Sequence, residues 1–219
     1  MLEKFEIIKN NPVIRTFIER SDKYLESLGY TEHGFRHVSL VAEISENILK
    51  RLNYSEKDQL LAKTAGYLHD IGNFLGRENH TISGAIIAYT ILKDLNFSIE
   101  DISLIMEAIS NHDEKTGFIS NPITAAVVIA DKSDAHRSRV RTKPEFFDIH
   151  DRVNYAVEKS FLRVNEKNRE ITLELTIDTE ISKPMEYFEI FLSRMVMCRN
   201  ASKILNCEFH LDINGSRLL

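Results

Sequence analysis

The apolar residues of this chain change their period once, and the change divides it into two unequal parts. Up to about Ile149 they recur at helical spacing. Further on, Ile171, Leu173, Leu175 and Ile177 alternate with Thr172, Glu174, Thr176 and Asp178, a period of two that a half-buried strand explains. The pattern predicts a mainly α protein, with a helical part over residues 1–150 and a small α+β part over 151–219. In the second part, 157–164 is expected to pair with the alternating run across the polar turn Asn165-Glu166-Lys167-Asn168-Arg169. Pro184 then opens a long helix with Phe188, Phe191, Leu192, Met195 and Leu205, after which Cys207, Phe209, Leu211 and Ile213 return to the sheet. The order is ββαβ, expected as an antiparallel sheet plus one long helix. No Gly/Ser-rich linker separates the parts, so firm contact between them is expected.

Within the helical part, Val13, Phe17 and Tyr24 are read as one face of a first helix. A second, starting just after Thr31, carries Val38, Val41, Ile44, Ile48 and Leu52. Ser55 with Asp58 three residues later resembles a capping box, opening a helix through Leu60, Leu61, Thr64, Ala65 and Leu68 that should stop near Gly72. Ile82, Ala85, Ile86, Tyr89 and Leu92 mark the next. Ser98 with Asp101 opens another, with Ile102, Ile105, Met106 and Ile109 on its buried face. Pro122 starts a helix whose residues 125–130 are apolar all round, which places it at the centre.

Composition narrows the classes of function. With 28 basic and 33 acidic residues the formal charge is −5, which gives no electrostatic reason to expect nucleic acid or an anionic membrane as main partner. The first residues carry charges at Glu3, Lys4 and Glu6, where a signal peptide needs an apolar core, and no stretch approaches a membrane span. Two cysteines without CxxC spacing make no disulfide framework, so a cytoplasmic protein with reduced thiols is expected.

The chemistry lies in how His and Asp are placed. Leu68-His69-Asp70-Ile71-Gly72 puts an imidazole and a carboxylate at a helix end, where adjacent residues can converge on one divalent ion. His37 sits on the second helix, His80 just before the next apolar helix, and His112 in Ser110-Asn111-His112-Asp113-Glu114 at a helix C-terminus. Asp131 follows six apolar residues, where a carboxylate is costly to bury unless paired or ligated. Five separate segments thus each offer a metal-type ligand, and as a set ligation explains them better than five structural roles. No thiolate is among them, which argues against a closed structural zinc site.

The order His37, His69-Asp70, His80, His112, Asp131 resembles the HD-domain superfamily of metal-dependent phosphohydrolases in its six-ligand form. Gly66-Tyr67-Leu68-His69-Asp70-Ile71-Gly72 resembles its central motif, His80 with Ser83-Gly84-Ala85 its third-ligand helix, and the run from Ile129-Ala130-Asp131-Lys132 to Ala135 its closing motif. The resemblance covers roughly residues 31–140 and implies an all-α core of about five helices around one or two divalent ions (Mn, Fe, Ni, Co, Zn or Mg). It implies that His37, His69, Asp70 and Asp131 hold a first metal and that Asp70 bridges to a second bound by His80 and His112. The activity implied is hydrolysis of a nucleotide or other small phosphoester by a metal-activated water. Asn73 stands where the cyclic di-GMP branch carries lysine, and the paired-histidine Gly-Tyr-Pro signature of that branch is missing; both depart from a cyclic di-GMP phosphodiesterase.

Further candidates flank the set. His33, four residues before His37, is a candidate substrate contact, proton donor or third-metal ligand, and Asp113 and Glu114 candidate general acids or imidazole-orienting groups. Lys132, Arg137 and Arg139 form a cationic run beside Asp131, where substrate phosphate would need one. Two other functions stay open on ligand order alone, a di-iron oxygenase of the same superfamily and a nucleotide-sensing module with little turnover. A short exposed sheet edge suggests a homodimer.

Overall fold

The structure, a computed structural model, describes residues 2–218. Nine α-helices and four strands follow among them: α1 (Leu2–Asn10), α2 (Pro12–Ser27), α3 (Phe35–Arg51), α4 (Glu56–Leu68), α5 (His80–Asp94), α6 (Ile99–Ser110), α7 (Pro122–Ser133), α8 (Ile149–Ala156), β1 (Val157–Asn165), β2 (Glu170–Ile177), α9 (Pro184–Ile204), β3 (Glu208–Ile213) and β4 (Ser216–Arg217). The protein is mainly helical with a small α+β unit at its end, as the change of period predicts. No helix among the described residues is long and apolar enough to cross a membrane.

The starts of the helices follow from side-chain caps. Ser55 Oγ accepts from Asp58 N at 3.1 Å, Ser98 Oγ from Asp101 N at 3.2 Å, and Asn121 Oδ1 from Thr124 N at 2.9 Å ahead of Pro122. Helix α7 is the axis of the molecule. Its residues 125–130 are fully buried, and it packs against α3, α4, α6 and α9. Each such Val or Ile contributes roughly 1.5–3 kcal/mol relative to exposure, so a polar residue on this helix must have a partner to be tolerated. One continuous apolar core joins the helices to the sheet, with Ile171, Leu173, Leu211 and Ile213 in the same cluster as Ile129. The Arg152 guanidinium on α8 clasps Glu186 on α9 with two hydrogen bonds of 2.8 and 2.9 Å.

Several expectations need correction. The buried face of α2 is Ile14, Ile18, Ser21 and Leu25, while Val13 and Tyr24 are exposed. On α5 the strongly apolar Ile82, Ile86 and Tyr89 face outward, and the inner face is made of His80, Thr81, Gly84, Ala85, Ala88, Ile91 and Leu92. Helix α3 begins at Phe35 rather than just after Thr31, because Gly34 is its N-cap, and His33 therefore precedes the helix. On α9, Leu192 is exposed. The sheet order is β1-β2-β3-β4, with β1 antiparallel to β2 but β3 parallel to β2. Parallel pairing is what a crossover helix between two strands permits, and α9 is that crossover. Helices α1 and α8 and the two-residue strand β4 have no counterpart in the sequence reading.

Candidate metal centre

Three of the cluster histidines share one local device. His69, in the turn after α4, His80, the first residue of α5, and His112, just past α6, each bring Nδ1 to the backbone carbonyl three residues upstream. The partners are Gly66 O at 2.8 Å, Arg77 O at 2.8 Å and Ile109 O at 2.7 Å. A carbonyl oxygen only accepts, so Nδ1 carries the hydrogen and Nε2 is left with its lone pair. In His37, on the first turn of α3, the Gly34 carbonyl is already taken by Val38 N. Its Nδ1 instead donates to Asp134 Oδ2 at 2.7 Å. All four rings are buried and present Nε2 to a common interior.

Two carboxylates complete that interior. Asp70 Oδ2 lies 3.2 Å from His69 Nε2 and 3.7 Å from His37 Nε2; its Oδ1 lies 3.6 Å from His80 Nε2 and 3.8 Å from His112 Nε2. Asp131 Oδ1 lies 3.4 Å from His37 Nε2 and 3.7 Å from His69 Nε2. The Asp70 carboxylate thus turns one oxygen to each pair of histidines. Among these residues, three trios have ligand atoms close enough to hold an ion together: His37, His69 and Asp70; His69, His112 and Asp131; and Asp70, His80 and His112.

The donor set fits divalent metal. Neighbouring ligands around an ion with bonds of about 2.1 Å lie roughly 3.0–3.4 Å apart, close to the separations here. His80 and His112 bring their Nε2 atoms within 3.1 Å, and His37 and His69 within 3.3 Å. Facing lone pairs at that distance repel unless a cation sits against them. Burial pushes the His80 imidazole down and the His112 imidazole well down, so a proton is a poor substitute for that cation. For His69 burial also opposes charge, but Asp70 outweighs it and raises the group. Asp70 is buried and Asp131 half-buried, which alone would raise them, yet His69 and Lys132 respectively lead the effects that hold them well below the usual carboxylate range.

Gly72 fixes where α5 begins. A Cβ there would lie 2.3 Å from His80 O and 2.4 Å from Gly84 N, so only glycine lets the turn after Asp70 touch the first turn of α5. That contact carries His80 to Asp70 within ten residues of chain.

The flanking candidates divide. His33 is half-buried, its ring 5.4 Å from the His37 ring, with Nδ1 on Thr31 O at 2.6 Å. Asp113 lies 3.8 Å from Arg77. Lys132 is buried and its ammonium spans Asp131 Oδ2 at 2.7 Å and Glu114 Oε2 at 2.8 Å, while Glu114 also meets Arg194 of α9 at 3.2 Å. Burial of Glu114 is outweighed by Lys132 and then Arg194, which hold its carboxyl down at about 2. The rest of the expected cationic run turns away from the cluster. Arg137 binds Tyr155 O at 3.1 Å and Glu158 at 3.3 Å, and Arg139 gives its guanidinium to the carbonyls of Glu32 and Asp134. Both fasten the loop after α7 to its neighbours, so neither is placed as the sequence reading expected.

Sequence reasoning missed three residues. Asp134, besides His37, receives Arg36 at 2.8 Å. Asn73 donates to Asp70 Oδ1 at 2.8 Å. Arg77 lies 3.5 Å from Asp70 Oδ1 and bonds Asn73 Oδ1 at 3.0 Å, and it keeps 28% of its side chain exposed. The Gly76-Arg77 pair, six and seven residues after Asp70, was the available signal for Arg77.

Four imidazoles and two carboxylates thus converge from the ends of five helices, a donor set that fits divalent metal. Residues 34–138, which include α3 to α7, match the family model described as "HD domain". An uncharacterized protein of Methanocaldococcus jannaschii, MJ1020, is 28% identical over 200 residues, covering 80% of this chain and 76% of its own. An uncharacterized protein of Clostridium beijerinckii is 28% identical over 119 residues, 52% of this chain and 74% of its own. Among solved structures, a "predicted HD superfamily hydrolase" from an uncultured Thermotogales bacterium matches with a TM-score of 0.45 and 23% identity, over 60% of this chain and 74% of that one.

Proposed function

We propose that the protein is a metal-dependent phosphohydrolase acting on a nucleotide or other small phosphoester, with two divalent ions. His37, His69, Asp131 and Asp70 Oδ2 would hold one, and His80, His112 and Asp70 Oδ1 the other. Bound there, such ions supply Lewis acidity and lower the pKa of a bound water to give a nucleophile at neutral pH. The observation that carries the reading is Asp70, whose two oxygens face two separate pairs of histidines with their Nδ1 hydrogens tied up elsewhere.

The chain's own groups support the rest. Asn73 donates to Asp70 Oδ1 and so restrains the carboxylate. Arg77, part-exposed beside Asp70, takes the role of phosphate fork that the sequence reading gave to Lys132, Arg137 and Arg139, since a guanidinium matches two phosphate oxygens. Asp113 on its far side and His33 beside His37 are the candidates to move a proton at the leaving oxygen. Lys132 acts on Asp131, not on substrate.

Elemental analysis of the purified protein, followed by phosphate release with Mn²⁺ over a panel of nucleotides and phosphomonoesters, tests this. Two metals per chain and turnover lost in Asp70→Asn are expected. Iron in the site with no phosphate release, or protein that binds no metal, would overturn it.

A further inference from the structure

Two carboxylates and two cations run in line from the metal centre to α9, their signs alternating. Asp131 divides its oxygens: Oδ1 faces His37 Nε2 at 3.4 Å and His69 Nε2 at 3.7 Å, while Oδ2 takes the Lys132 ammonium at 2.7 Å. Glu114 divides its own in the same way, with Oε2 on Lys132 at 2.8 Å and Oε1 on Arg194 Nε at 3.2 Å. Lys132 keeps only 6% of its side chain exposed, so its ammonium has no water to turn to and its place is set by the two carboxylates. Glu114 lies two residues beyond His112, so the line also ties the segment of one candidate ligand to the side chain of another. Arg194 is itself held, its guanidinium 4.6 Å from the buried Phe191 ring one turn back on α9.

We propose that Arg194 is a positioning residue of the metal centre, acting through Glu114 and Lys132 to keep Asp131 Oδ1 turned towards His37 and His69. Without the guanidinium, Glu114 has only Lys132 to bind and draws the ammonium off Asp131 Oδ2, because attraction between unit charges grows as they close and is little screened where water is scarce. An Asp carboxylate turns easily about its last torsion, so a free Oδ2 lets Oδ1 leave the two imidazoles. Arg194 stands outside residues 34–138, so the segment that matches the family model lacks the last member of the line. This role rests on the reading of the cluster as a metal centre and is independent of the reaction proposed there.

The test uses the full chain, stripped of ions with EDTA, desalted and titrated with Mn²⁺, with free Mn²⁺ read from its electron paramagnetic resonance signal. Arg194→Met keeps an unbranched stem over Phe191 and removes the charge. It should weaken Mn²⁺ binding roughly tenfold, the low end of the range for partners of metal ligands, since two residues intervene. Arg194→Lys returns a cation and should restore most of the loss. In a Glu114→Gln background, where the line is already cut, Arg194→Met should have no further effect. A parent chain that binds no Mn²⁺ would overturn the metal reading and this role with it. With a parent that binds, three results would each overturn the role alone: Arg194→Met binding as tightly as the parent, Arg194→Lys no better than Arg194→Met, or an equal loss in the Glu114→Gln background.

Discussion

His37 gives its Nδ1 hydrogen to the Asp134 carboxylate at 2.7 Å, whereas the other three cluster histidines give theirs to the backbone of their own segment. The orientation of His37 therefore depends on a residue 97 positions away, beyond the end of α7. That carboxylate is kept ionised: burial would raise it, but Arg139 and the bond from His37 hold it far below the usual range. Asp134→Asn keeps the shape and removes the charge. Metal affinity, measured by titrating chelated protein with Mn²⁺, should fall roughly 10- to 100-fold, as it does for second-layer partners of ligating histidines. Unchanged affinity would mean that α3 alone orients the ring.

Removing metal should also cost stability. Four Nε2 lone pairs and two carboxylates face one small interior, and a cation that binds only the folded chain stabilises it by about 2.7 kcal/mol at a hundred times its Kd. For a chain of this size that corresponds to roughly 5–10 °C in melting temperature. Scanning the protein with EDTA and with excess Mn²⁺ reads the difference directly. Coincident curves would contradict a preformed centre.

Gly72→Ala should fail for a reason of geometry alone. The new Cβ would meet backbone atoms, His80 O and Gly84 N, that no rotamer change can move. The first turn of α5 must shift, taking His80 with it. We expect a loss of about 3 kcal/mol or more in urea unfolding, together with loss of metal. A variant of native stability would show that the turn has slack.

The Arg152–Glu186 clasp predicts a pH dependence. The guanidinium bond first, then the backbone N–H of Lys183 and the Ser182 hydroxyl, hold the Glu186 carboxyl at about 2, below its ordinary 4.5. A depressed carboxylate stabilises the fold fully above 4.5, and its contribution fades as pH falls from there towards 2. Glu186→Gln should melt roughly 1–3 °C lower than the parent at pH 7, with the gap closing on acidification over that window. A gap independent of pH would assign the effect to packing.

The candidate ligands that converge in the structure were legible because they sit where local pattern is strong, at helix ends and at the close of an apolar run. His69-Asp70 before glycine and Asp131 after six apolar residues are visible one segment at a time. The partners that orient them are not. Asp134 meets His37, and Arg139 meets Glu32, only through the tertiary fold, and nothing in their own segments marks those partners. Apolar spacing marked α5 as a helix but not its inner face, which beside Gly72 is built from small and polar residues and only further on from Ile91 and Leu92, leaving Ile82 and Ile86 outside. Strand direction was misread for a different cause. A period of two says that a strand is half-buried but not which way it runs; the 21 residues of α9 between β2 and β3 carried that information.

The all-round burial of α7 has a consequence for how the chain can be divided. A helix with no outer face must be enclosed by whatever surrounds it, and α9, from the last third of the sequence, supplies one of its walls. A recombinant piece ending near residue 150 would contain every candidate ligand, yet present a bare aliphatic flank to water beside the Asp131 segment. Such a piece should collect in inclusion bodies. The sheet and its helix are, in that sense, the last plank of the vessel that holds the metal centre rather than an accessory to it.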